Sequence, residues 1–261
     1  MLIDCNSYVG HWPFRQLRGN TCRGLLERME TYGVDMTVVS NLNGIFYKNT
    51  QHANQELHDE INSDKRFAKQ IIPFAVINPV YSGWQTDFET CRTKLGMKGI
   101  RLHPIHHRYE LDHPNCIELV RMARDYNLPV AMSLRMVDAR TSSWLDVEKE
   151  WSLRDIIPIL KEVPDARFLV LNVANSTALS DEELQIFRNT NLIMDTSGRN
   201  MNDLGQMLSQ FGQEKFAFGT HAPLLDSRTG LLRIEALRDQ EADTKTKNLL
   251  RFGNIKRFLK L

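Results

Sequence analysis

The chain has 261 residues and a formal net charge of +1, which argues against nucleic acid as the main partner, because such binders carry a basic stripe. It holds no apolar run long enough to span a bilayer and no charged-then-apolar leader, so no membrane partner and a cytoplasmic location are expected. Cys5, Cys22, Cys91 and Cys116 are scattered without a C-x-x-C pair, which fits reduced, buried thiols better than disulfides or a structural zinc.

In chain order, short β-rich runs alternate with stretches of helical periodicity. LIDCN (2–6) opens the chain, followed by the helix CRGLLERMETYG, whose last residue, Gly33, suits a helix stop. MTVVS (36–40) and the helix HANQELHDEINSDKR lead to IIPFAVI (71–77) and the helix WQTDFETCRTKLG. GIRLH (99–103) runs into a loop carrying His106 and His107, and the helix NCIELVRMARDYN precedes PVAMS (129–133). WSLRDIIPILKEV contains Pro158, which implies a kink or a late helix start. RFLVLN (167–172), the helix DEELQIFRN, LIMDTS (192–197), the helix NDLGQMLSQFG and FAFGTH (216–221) follow. The chain closes on LLRFGNIKRFLKL, where the basic KRFLK (256–260) reads as the polar face of a last helix.

Eight strand–helix alternations over residues 1–261 predict an α/β fold, a single (β/α)8 TIM barrel. A doubly wound open sheet would show a glycine-rich turn after its first strand, and NSYVGHWP is not one. The apolar runs end on Asn6, on Ser40 and Asn41, on Asn78, and on Arg101 with His103. The later ones end on Ser133 with Arg135, on Asn172, on Asp195 with Ser197, and on Thr220 with His221. Such ends are where a barrel builds its site. Wet loops account for part of this pattern. They account less well for Arg101 and His103, which stand two apart on a strand and so share one face. The stretch KGIRLHPIHHRY, with three histidines, leaves a metal site, a proton-transfer site and a polar loop all open.

LIDCNSYVG, KGIRLHP, FAFGTHAPLL and NLLRFGNIKRFLKL together resemble the amidohydrolase-related family of TIM-barrel proteins, the metal-dependent hydrolases and decarboxylases of the amidohydrolase superfamily. Active members of that family read D-x-H-x-H at the end of strand one. They carry further histidines after strands five and six, and an aspartate in F-G-(S/T)-D-x-P after strand eight. Here Asp4 is followed by Asn6 and Tyr8, and the later positions hold Ser133, Asn172 and His221. The resemblance therefore implies a barrel that has lost its inherited metal ligands, with no cofactor expected. A zinc held by His103, His221 and Asp138 or Asp195 is the alternative.

What the resemblance and the residues imply together is a hydrolase that opens a small carboxylated lactone, ester or amide. His221 would be the general base and His103 the second acid–base group or an oxyanion donor. Arg101 would hold the substrate carboxylate, and Asn6, Tyr8, Ser133 and Asn172 would orient the substrate. Decarboxylation ranks behind, because it leans on the missing metal. A catalytically inactive barrel kept for small-anion binding or assembly is the other class, and a homo-oligomer is compatible with both. The bland readings give Arg101 an ion pair with Asp4 or Asp195 and make His103 a loop-fixing residue before Pro104. They leave His106 and His107 solvated or packed in their loop, and His52, His58 and His113 on the surface. His11 joins Trp12 and Phe14 as a lid or an aromatic staple.

Overall fold

Each of the eight apolar runs forms a strand in a computed structural model of the chain, which describes residues 1–136, 151–173, 178–198 and 203–261. The strands are β1 (Ile3–Val9), β2 (Met36–Asn41), β3 (Ile71–Val76), β4 (Gly99–Leu102), β5 (Val130–Ser133), β6 (Phe168–Leu171), β7 (Leu192–Asp195) and β8 (Phe216–Ala217). They pair in parallel in the order β1 to β8, which is the single (β/α)8 barrel expected. The segment after β8 closes the ring onto β1, through Cys5 N to Phe218 O at 2.9 Å, His221 N to Asn6 O at 2.7 Å and Tyr8 N to Ala222 O at 2.8 Å.

The connections carry α1 (Cys22–Tyr32), α2 (Asn43–Phe46), α3 (Thr50–Asn62), α4 (Lys65–Gln70), α5 (Trp84–Thr93), α6 (Pro104–His107) and α7 (Pro114–Asp125). Beyond these come α8 (Ile157–Glu162), α9 (Asp181–Asn189), α10 (Leu204–Phe211), α11 (Ser227–Glu235), α12 (Thr244–Asn248) and α13 (Asn254–Leu259). Local chemistry sets their ends. Thr21 caps α1 by accepting from Gly24 N, and Gly33 ends it at φ 67°, a left-handed turn that glycine adopts without strain. Pro158 stands in the first turn of α8, after a 3-10 turn over Leu153–Ile156, so the helix starts late rather than kinking.

Apolar side chains fill three spaces. The layer between sheet and helices is the largest. The barrel interior holds Ile3, Cys5, Val38, Phe74, Ala131, Leu169 and their neighbours, and α13 stoppers its lower end with Ile255 and Phe258. Above the strand ends, Tyr8, Trp12, Leu42, Ile45, Met136 and Leu224 form a separate buried cap. Burying an aliphatic or aromatic side chain of this size contributes roughly 1.5–3 kcal/mol, so interior and cap both count in stability. Gly99 makes room for one interior ring, since an added Cβ would meet Phe74 ring carbons at 2.5, 2.6 and 2.8 Å. Gly99→Ala is therefore expected to cost about 1–3 kcal/mol in urea denaturation, the usual range for overpacking. An unchanged midpoint would mean that the Phe74 ring yields freely.

Several boundaries differ from the sequence expectation. Strand β1 runs on to Val9, because a register shift between Asp4 and Ser7 absorbs a residue. That shift changes the strand's parity: Ile3 and Cys5 face the apolar interior, and beyond it Asn6 and Tyr8 bond across the mouth. Strand β8 has two residues rather than six, and the chain beyond it turns, with His221 at φ 58°. The expected helix over 52–66 divides into α3 and α4 at Asp64, whose side chain accepts from Arg66 N and starts the second helix. His106 and His107 lie on α6, not in a loop.

Candidate active site

The C-terminal ends of β1, β4, β5 and β7, with the turn after β8, bring the sequence-predicted residues into one buried polar cluster. Asn6 is its hub. Its carbonyl oxygen accepts from Arg101 Nη2 at 2.5 Å, while its amide nitrogen stands 2.6 Å from Asp195 Oδ2, 3.2 Å from Ser197 Oγ and 3.0 Å from His221 Nδ1. Arg101 Nε donates to Ser133 Oγ at 3.0 Å, and its Nη1 to Ser7 O at 3.4 Å. The guanidinium carbon lies 3.8 Å from the centre of the Tyr8 ring, a cation–π contact. Tyr8 in turn bonds Ser133 Oγ at 3.1 Å and Met136 Sδ at 3.3 Å.

The two predicted histidines stand differently. His221 is fixed from both sides, with Nε2 2.6 Å from Met136 O and Nδ1 facing the Asn6 amide. A carbonyl on one side and an N–H on the other assign the proton to Nε2 and leave Nδ1 the acceptor, a neutral imidazole. His103 is 1% exposed, yet among the described residues neither of its ring nitrogens has a hydrogen-bond partner. Its ring lies 6.3 Å from Tyr8, 6.4 Å from His106 and 6.1 Å from His107. Asn172 joins through Asp195, whose Oδ1 accepts from Asn172 N at 2.7 Å, and its side chain donates to Arg135 O at 3.0 Å. Both Asn172, at φ 52°, and His221 hold left-handed backbone, which costs an L residue roughly 1–2 kcal/mol. Residues kept in such conformations concentrate at functional sites.

Of the remaining candidates, Asp4 pins the barrel seam, accepting from Asn6 N, Thr220 N and Thr220 Oγ1 at 3.0, 3.0 and 2.6 Å. Arg101 has no carboxylate within ion-pair distance among the described residues, so the expected pairs with Asp4 and Asp195 do not form directly. Asn6 stands between Arg101 and Asp195 instead. His52 is exposed, while His58 bonds Leu95 O at 3.0 Å and His113 caps α7 by accepting from Asn115 N at 3.2 Å. His11 is exposed, and Trp12 stacks edge-on with Phe14, Phe46 and His106 above the mouth. Asp138 lies outside the described residues. The sequence reading missed the roles of Ser7, Ser197 and the Met136 carbonyl. Only Ser197 had a signal, two residues from Asp195 and so on its face of the chain.

Burial dominates the electrostatics. It holds His103 well below the ordinary histidine value, with Arg101 adding to the effect, and takes His221 down to about 3 and His106 and His107 to about 4. It raises Asp4 to about 7, raises Asp195, and pushes Tyr8 up to about 12. The sign for stability follows. Below the ordinary value of 6.5 the unfolded chain protonates its histidines while the folded chain does not, so stability is lost as pH falls from there toward 4 and 3. Asp4 acts oppositely, holding a proton in the folded chain between 3.8 and about 7 and returning stability on acidification. Asp195 acts in the same sense as Asp4. Four depressed histidines outweigh two raised carboxyls, so urea midpoints should fall from pH 6.5 to 4.5 with net proton uptake on unfolding. A flat or rising profile would contradict the burial of the cluster.

No protein-family model and no curated protein matches the sequence. Solved structures do match. A Staphylococcus aureus protein assigned provisionally as an amidohydrolase aligns over 100% of this chain and 99% of its own at 15% identity, with a TM-score of 0.73. A dihydroxybenzoic acid decarboxylase from Polaromonas, solved with bound manganese and the inhibitor 2-nitroresorcinol, aligns over 100% and 97% at 11% identity, TM-score 0.72. A 5-carboxyvanillate decarboxylase from Novosphingobium aromaticivorans, solved with bound manganese and 3-methoxy-4-hydroxy-5-nitrobenzoic acid, aligns over 100% and 97% at 12% identity, TM-score 0.73.

The manganese corrects the expectation of a fold without a cofactor, which rested on substituted ligand positions alone: solved barrels of this shape hold a metal. The donors of this chain, tested against such an ion, do not match it. Among the described residues no three His, Cys, Asp or Glu side chains converge as ligands, and the oxygens of Asp4 and Asp195 are taken by N–H and O–H donors. Positive charge at the mouth comes instead from the Arg101 guanidinium, with Arg135 and Arg15 also acting on His221. At these identities the likeness is one of fold: this chain shares the TIM-barrel shape of these proteins.

Proposed function

We propose that the mouth takes a small carboxylated molecule onto Arg101 and opens a lactone, ester or amide bond in it with water. The observation that carries this reading is a fully buried guanidinium that, among the described residues, is hydrogen-bonded only to the neutral oxygens of Asn6, Ser133 and Ser7. A guanidinium has five N–H groups, and three are engaged, which leaves donors for a ligand carboxylate. A buried charge with no carboxylate bonded to it is costly, since Asp195 and Asp4 act on Arg101 only through space, and a bound carboxylate would offset that cost.

The base is then His103 before His221. Its depressed pKa keeps it neutral at pH 7, and its nitrogens have no partner among the described residues, whereas both His221 nitrogens are engaged. In the reaction, water attacks the carbonyl carbon as His103 takes its proton. The carbon–oxygen or carbon–nitrogen bond breaks, and the imidazolium returns the proton to the leaving atom. His221 and Asn172 hold Asn6 and Asp195, and Tyr8 and Ser133 orient Arg101. Decarboxylation of the same group fits less well, because a guanidinium clamp stabilises the carboxylate more than the departing carbon dioxide.

Burial favours a second reading, a barrel that binds its ligand without turning it over. Arg101 and His221 are 0% exposed beneath the apolar cap, so entry requires the cap to open. A panel of carboxylated lactones, esters and amides separates the two. Turnover is expected, and Arg101→Lys, which keeps the charge and loses the fork, should raise KM about tenfold or more for carboxylated substrates only. Tight binding of a small carboxylate with no turnover would favour the second reading. An Arg101→Lys variant with unaltered KM would remove Arg101 from substrate binding.

A further inference from the structure

The end of the barrel opposite the mouth carries a groove of about 640 Å³, between the lower ends of α3, α4 and the strands β2 to β6 and the tail of α13. That volume is in the range of small-ligand sites. Its floor is apolar, with Ile61, Ile71, Ile72, Leu95, Leu128 and Leu259. Its rim is uniformly basic. Lys69, Lys94, Lys98, Arg167 and Lys260 line it, and no Asp or Glu does among the described residues.

These five cations carry the argument because no acidic side chain shares the lining with them among the described residues. None stands in an ion pair among the described residues. Arg167 is half-buried, and its guanidinium donates to the backbone carbonyls of Phe258 and Asn127 instead of a carboxylate. A chain of net charge +1 has thus gathered unpaired positive charge around one apolar trough. A floor serving packing alone would be closed over by side chains, and its charges would be of mixed sign.

We propose that this groove binds an amphipathic organic anion, with the apolar body lying along Ile61, Leu95, Leu128 and Leu259 and the anionic head among Lys94, Lys98 and Arg167. A long-chain carboxylate has that chemistry. Apolar burial supplies most of the affinity, and the lysine and arginine heads select the anion.

Calorimetric titration of the full chain with dodecanoate tests it, with dodecanol and inorganic phosphate as separate arms. One saturable dodecanoate site per chain is expected, with dodecanol and phosphate each at least about tenfold weaker. The double substitution Lys94→Glu with Lys98→Glu, both exposed, should weaken dodecanoate at least about tenfold at an unchanged melting temperature. Arg101→Lys, at the opposite end, should leave dodecanoate binding as it is, so this result is independent of the reading of the mouth. Unsaturable binding, phosphate competing on equal terms, an unchanged affinity in the double variant, or loss of binding in Arg101→Lys would each overturn the proposal.

Discussion

Replacing His103 with leucine is expected to lower kcat by roughly 10²–10⁴-fold while leaving KM close to its original value, the signature of a lost proton-transfer group. The size follows from its position. His103 follows Arg101 by two residues at the end of β4, is 1% exposed, and bonds no described residue through either ring nitrogen. An imidazole so placed gives the fold no hydrogen bond, and leucine removes two unsatisfied buried nitrogens. The variant should therefore fold with stability near or above that of the parent chain. Loss of activity without loss of stability separates a working group from a packing one. The pH profile adds a second check. A base must be unprotonated, and burial holds His103 well below 6.5, so the rate should stay level from pH 8 to 6 and fall only in more acid solution. An inflection close to neutrality would assign the proton transfer to another group.

Asn6→Ala is expected to be the most destabilising single change in the site, by about 3–5 kcal/mol in urea denaturation. One amide meets Arg101 on its oxygen and Asp195, Ser197 and His221 on its nitrogen, so its removal leaves four buried groups short of a partner. Asn6→Asp would separate the contributions. The new carboxylate would pair with Arg101, face Asp195 with like charge, and occupy the guanidinium that a substrate carboxylate needs. Binding of carboxylates should then fall more steeply than stability. A loss below about 1 kcal/mol in Asn6→Ala would mean that water replaces the amide, and that the cluster is wetter than its burial implies.

The barrel and the end that bears the site were legible because both rest on local pattern. Apolar runs marked the eight strands, and residues two apart on a strand had to share a face, which placed Arg101 beside His103. What the sequence concealed was long-range or conformational. The shift in β1 that turns Asn6 and Tyr8 into the mouth depends on pairing with β2 and leaves no mark in composition. His106 and His107 read as a polar loop because α6 has four residues, too few for a helical period, and their partners, Trp12 and Phe46 for His106 and Gly44 O for His107, come from distant segments. Asn6 read as a substituted ligand rather than as the link from Arg101 to Asp195, for its partners lie far along the chain. The expectation of a fold without a cofactor failed for another reason. Substituted positions describe this chain's donors, and manganese in solved barrels of the same shape is a property of those proteins that no residue here could announce.

A crystal structure of the protein grown with saturating benzoate tests the central claim most directly. The expected result is the ligand's carboxylate on the free N–H groups of Arg101, at about 2.7–2.9 Å, with its ring beside Tyr8 and His103. Benzoate bound elsewhere, with Arg101 still bonded only to Asn6, Ser133 and Ser7, would contradict it.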